Sequence, residues 1–146
     1  MIGPGQAPPG RGSTKIITVP APALGADWQV TVPTGTVWYI NSILCVLTTD
    51  TTVATRRFSI ACSEAGVVYF RVSQGTTQPA SITRTHIFGA TTFPATWPLA
   101  DSVIAQWWPF GYPVRGDHII AADTVSLQAG DQYSTIRLNV TEAMEG

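Results

Sequence analysis

The sequence predicts an all-β fold, an antiparallel β-sandwich of jelly-roll type with an extended Pro/Gly-rich N-terminal arm. Three observations carry the prediction. Apolar residues recur with period two in one segment after another, from Lys15 to Glu142. No segment keeps a helical 3.6-residue period over ten or more residues. Clusters of Gly, Pro, Asp and Thr break the pattern at short intervals, and roughly eight to ten short strands at such spacing close into a sandwich or barrel.

A chain of 146 residues is the size of one domain and buries a core without metals or disulfides. Residues 1–13 read as the arm and residues 14–146 as a single sandwich domain. Hydrophobic residues are 45% and charged residues 12%, the reverse of a disordered composition. The net charge of −1, with basic residues scattered rather than striped, argues against a nucleic-acid partner. No apolar run is long enough for a membrane helix and the N-terminus shows no signal-peptide core, so a soluble chain made in a cytoplasm and without a membrane partner is expected. Charge near zero and a surface rich in Thr, Gln and aromatics favour an assembly component over a free monomer.

The arm carries Pro4, Pro8 and Pro9 among four glycines, with Arg11 near its end. Missing donors and high backbone entropy keep such a segment out of helices and central strands; it reads either as a loose terminus or as an arm that orders against a neighbouring subunit or scaffold. Residues 15–20 (KIITVP) are a first strand, and in residues 27–32 Trp28, Val30 and Val32 share a face. Residues 37–63 are the most hydrophobic stretch and read as a hairpin: a first arm to Thr49, apolar on both faces, a polar turn, and a returning arm with Phe58, Ile60 and Cys62 inward. The two-sided first arm calls for cover on both faces, by the core and by a partner subunit. Glu64-Ala65-Gly66 turns the chain into residues 67–73, and residues 81–88 form a further strand.

Residues 89–113 are less regular, with residues 103–108 as a strand inside them. Their aromatics, Trp97, Trp107, Trp108, Phe110 and Tyr112, are the best binding candidates, as a subunit interface or as packing that seals one end of the barrel, rather than as stacking platforms for sugar rings. Residues 117–120 and 124–128 read as short strands, and residues 134–142 as a last strand burying Ile136, Leu138 and Val140.

No catalytic, cofactor-binding or metal site is expected. His118 adjoins Asp117, but strand neighbours point to opposite faces, and His86 has no acid beside it. Two cysteines, Cys45 and Cys62, without CxxC spacing are read as buried apolar residues rather than as a metal pair or a disulfide. Arg115-Gly116-Asp117 spells an adhesion tripeptide but reads as turn chemistry, and Asn139-Val140-Thr141 is a sequon inside a strand.

The residues Trp38, Ser42, Leu47, Thr49 and Asp50, then Thr52, Val53, Ala54 and Arg56, form a pattern that resembles small tailed-bacteriophage virion proteins of the β-sandwich, capsid-decoration (cement) type. The closing stretch is similar to theirs through Ala129, Gly130, Asp131, Leu138, Val140 and Glu142, while Thr55 stands where the pattern usually has Asn. The resemblance covers about a third of the chain. It implies a structural protein without catalytic residues, on the outer capsid surface of the virion, whose partners are the major capsid protein and itself, as a homotrimer. The arm residues Pro4, Pro8, Pro9 and Arg11 are then expected to dock on the capsid. The other reading is a fibre or tail host-attachment module that binds glycans.

Overall fold

The computed structural model describes residues 13–89 and 103–145, all strand, turn or loop, without a helix among them. Ten strands form: β1 (Ser13–Val19), β2 (Gln29–Thr31), β3 (Thr36–Thr48), β4 (Ser59–Glu64), β5 (Val67–Ser73), β6 (Thr83–Phe88), β7 (Val103–Gln106), β8 (Tyr112–Arg115), β9 (Ile119–Ala122) and β10 (Gln132–Met144). They make two sheets. The first runs β1-β10-β3-β6-β7, with β8 also paired to β3, and the second runs β2-β9-β4-β5.

With β7 and β8 set aside, eight strands pair from the outside in: β1 with β10, β2 with β9, β3 with β6, β4 with β5. The pairs β10–β3 and β9–β4 then close each sheet. This is jelly-roll connectivity, the chain folded as one long ribbon and rolled into a sandwich. The all-β sandwich expected from period and turn spacing is therefore what forms.

The expected hairpin of residues 37–63 does not form. β3 and β4 lie in different sheets, because both edges of β3 are occupied, by β10 on one side and by β6 and β8 on the other. The connection from Thr48 to Ser59 is long enough to cross the roughly 10 Å between packed sheets. Residues 124–128 also form no strand, only an isolated bridge between Arg57 and Val125. The arm was expected to run through Ser13, which instead begins β1. Pro4, Pro8, Pro9 and Arg11 lie outside the described residues.

The core lies between the sheets. Trp38, Ile40, Ile43, Cys45 and Leu47 of β3 face Phe58, Ile60 and Cys62 from the other sheet, and Ile136, Leu138 and Val140 of β10 join them. The inward set of β3 changes phase between Ile40 and Ile43. The register against β10 slips there, with Ser42 opposite Asn139 but Ile40 opposite Val140, so Asn41 is an inserted bulge residue. A second slip between Ser134 and Arg137, with Thr135 at φ 49°, re-aims β10 in the same way. Both faces of β3 are buried within one chain, with Ser42 and Leu44 as inaccessible as Ile43 and Cys45. A partner subunit is therefore not needed to cover that strand, contrary to the expectation from its two-sided hydrophobicity. Cys45 and Cys62 are free and buried, as expected.

Candidate functional site

Two features stand apart from the core: a buried ion-pair clasp and an open cleft. The clasp joins the stretch around Asp50–Arg56 to the stretch around Asp131. Arg56 has no exposed side-chain surface. Its Nε donates to Asp131 Oδ2 at 2.9 Å, its Nη2 to Asp131 Oδ1 at 3.0 Å and to Asp50 Oδ1 at 2.8 Å, and its Nη1 to the Ala54 carbonyl at 2.9 Å. The backbone N–H groups of Asp50 and Gln128 donate to Asp131, and those of Thr52 and Gly130 to Asp50. Burial works to raise the Asp131 pKa, but the Arg56 contact and these N–H groups outweigh it and hold the carboxyl below its usual range. The clasp ties the β3–β4 crossover to the turn before β10. Its chemistry is structural, since every group in it faces a partner.

The cleft, about 590 Å³, opens where the chain passes from the first sheet to the second through β8. β3 contributes Val37 and Tyr39, and β8, paired to it, contributes Pro113 and Arg115. Next, the chain turns at Gly116 and Asp117. A Cβ on Gly116 would lie 2.9 Å from the Pro33 carbonyl oxygen, so only glycine fits the close approach. Asp117 takes φ 70°, donates its N–H to Val32 O at 2.8 Å and accepts from the Thr34 hydroxyl at 2.5 Å. That closes the turn and sets His118 at the cleft. The Asp of the Arg-Gly-Asp tripeptide is thereby engaged inside its own chain.

The opposite wall comes from the β4–β5 turn. Ala65 (φ 50°) and Gly66 (φ 82°) both adopt positive φ, the two-residue type I′ geometry that suits a twisted hairpin. The turn brings Glu64 and Tyr69 to His118. Its Nε2 lies 3.3 Å from Glu64 Oε2 and its Nδ1 3.0 Å from the Tyr69 hydroxyl. A proton on Nε2 satisfies the carboxylate, which leaves Nδ1 to accept from the phenol. Burial, then the neighbouring Cys62, Tyr112 and Glu64, push the Tyr69 pKa up, so it stays a phenol at neutral pH. A nucleophilic role needs the opposite shift. Across the cleft Arg115 Nη1 lies 3.5 Å from Glu145 Oε2.

Sequence reasoning missed this grouping. Asp117 and His118 were expected as neighbours within a strand but lie in the turn before β9, and the partner Glu64 arrives through the β4–β9 register, where Ser63 lies opposite Ile119. No local pattern signals that pairing.

The five aromatic candidates divide. Trp97 lies outside the described residues. Trp108 is a core residue rather than an interface residue: it is 3% exposed, donates Nε1–H to the Ile40 carbonyl at 3.2 Å and meets Phe70 and Phe88 edge-on. Tyr112 is half-buried and stacks on Phe70 at 4.0 Å, so it too is engaged within the chain. Trp107 and Phe110 lie at the surface, 69% and 72% exposed. A turn at Pro109–Tyr112 with Gly111 at φ 72° puts Phe110 at its tip.

His86 is buried between Gln74 and Gln78, its Nδ1 2.5 Å and its Nε2 2.7 Å from their side-chain amides. Gln78 Nε2 donates to Leu47 O and Ile82 O, so its oxygen must accept from His86 Nε2–H. Burial first, then Arg84, lowers the ring's pKa to about 4 and keeps it neutral. Nδ1 is then an acceptor facing Gln74 Oε1 at 2.5 Å; turning the Gln74 amide over would place its otherwise unpartnered Nε2 there as the donor. Among the described residues no three His, Cys, Asp or Glu side chains are placed to hold a metal ion.

Comparisons with protein families, with curated proteins and with solved structures return no match to this chain. Its function is therefore argued from its own residues.

Proposed function

We propose that this chain is a virion structural protein of a tailed bacteriophage, a capsid decoration protein that binds the assembled head and stabilises it. The observation that carries the reading is the clasp. The two stretches that resemble phage virion proteins, around Asp50–Arg56 and around Asp131, converge on one buried ion-pair site. They act as one structural device of a jelly roll, a fold used in viral shells, rather than as two separate matches.

The surface suits such a role. Trp107 and Phe110 present exposed aromatic area of the kind that anchors interfaces. β5 ends its sheet and exposes Val67, Val68 and Tyr69 along its edge. In this reading the chain is a homotrimer on the outer capsid surface. Trp107 and Phe110 join the copies, and Pro4, Pro8, Pro9 and Arg11 dock on the major capsid protein. Several weak contacts per trimer then add through effective concentration.

The test is mass spectrometry and cryo-electron microscopy of purified particles, with the mass of the free protein in solution. Many copies on the head and a trimeric mass support the proposal. Absence from the particle overturns it, and confinement to a fibre or tail replaces it with host attachment.

A further inference from the structure

The cleft beside β8 has the chemistry of a ligand site, and three observations narrow its occupant. The first is size: about 590 Å³ lies within the range of roughly 300–1,000 Å³ typical of small-molecule sites. The second is charge. Arg115 is matched by Glu145 and His118 faces Glu64, so among the described residues the cleft offers no unpaired cation to a phosphate or carboxylate, and no acidic cluster to a metal. The third is the mixture of surfaces. Val37, Pro113 and Met144 are apolar, Tyr39 and Tyr69 bring aromatic rings, and the charged groups supply both donors and acceptors. A purely aliphatic ligand would cover the donors of Arg115 and the acceptors of Glu64 and Glu145 that these pairs leave unused, at about 1–3 kcal/mol for each.

We infer that the cleft between β8 and the β4–β5 turn binds a neutral saccharide, with a sugar's C–H face against Tyr39 and Tyr69 and its hydroxyls on Arg115, Glu64 and Glu145. A pyranose combines an apolar face with a rim of hydroxyls that donate and accept, which is the pattern of this lining. The ion pairs hold the polar groups in place before the ligand arrives, which reduces the entropy cost of ordering them. The Tyr69–His118–Glu64 chain links the β4–β5 turn to the start of β9 along this wall. The site is separate from Trp107 and Phe110, and the inference holds whether or not the chain decorates a capsid.

The experiment titrates the full chain, carrying 13C-labelled tyrosine, with galactose, N-acetylglucosamine and lactose, and with glucuronate and inorganic phosphate as anionic probes. Expected are saturable shifts of the Tyr39 and Tyr69 ring resonances with at least one neutral sugar. Tyr39→Ala and Arg115→Ala should each weaken that binding by about tenfold, the equivalent of one good contact. Arg115 has a largely exposed side chain, so its variant keeps the fold and remains informative if Tyr39→Ala does not. The inference is overturned if none of the three sugars shifts either tyrosine, or if glucuronate or phosphate binds more tightly than the sugars. It is equally overturned if binding survives Arg115→Ala unchanged, or is abolished by Trp107→Ala.

Discussion

Arg56 and Asp131, 75 residues apart in sequence, form a two-point ion pair with both side chains fully buried: Nε to Oδ2 at 2.9 Å and Nη2 to Oδ1 at 3.0 Å. A buried charge pair is strongly held only when every remaining donor and acceptor is also met. Here Asp50, Ala54 and backbone N–H groups meet them.

Removing one partner strands the other. Arg56→Ala should lower unfolding free energy by roughly 3–5 kcal/mol in urea denaturation. Arg56→Lys should rescue little, since an ammonium is a point charge that cannot reproduce the planar two-point contact. The double change Arg56→Met with Asp131→Leu should recover part of the loss. A single Arg56→Ala variant as stable as the parent would show that the clasp is dispensable.

Acid should lower the stability of the protein over two pH ranges. His86, buried and neutral, titrates near 4 when folded against 6.5 ordinarily. Between those values the unfolded chain binds a proton that the folded chain refuses, so stability falls as pH drops from about 6.5 to about 4, by about 3 kcal/mol in all. At lower pH Asp131 and Glu142 add to the loss, because both are held below their ordinary range and their contribution disappears as pH falls through the folded values. Asp27, raised by burial, works in the opposite sense near its own titration. In His86→Gln the slope between pH 6.5 and 4 should be shallower. An unchanged slope in denaturation curves across that window assigns the effect elsewhere.

The aromatic residues near β8 should separate by role. Trp108→Ala empties a core position and should cost about 3–5 kcal/mol. Trp107→Ala and Phe110→Ala touch only surface and should stay within about 0.5 kcal/mol of the parent. In a decoration protein the same two variants should lose the trimeric mass in solution while keeping a β-rich circular dichroism spectrum. Equal destabilisation by all three changes contradicts the split.

What the sequence determined by itself is local. Period two was enough to identify most strands and to choose the inward residues Phe58, Ile60 and Cys62 on one and Ile136, Leu138 and Val140 on another, because alternation is a property of each strand alone. The turn at Glu64–Gly66 and the burial of the two free cysteines were legible for the same reason. Tertiary structure decided the partners. Nothing local tells β3 that its edges belong to β10, β6 and β8, so a crossover between sheets read as a hairpin. Nothing local shows that Asn41 and Thr135 are bulge residues, and one inserted residue reverses which side chains face the core beyond it. Both candidate centres, Arg56 with Asp131 and His118 with Glu64 and Tyr69, join residues that only the rolled ribbon brings together. Strand identity follows from neighbours in the chain, whereas sites follow from neighbours in space, and in a jelly roll those are seldom the same residues.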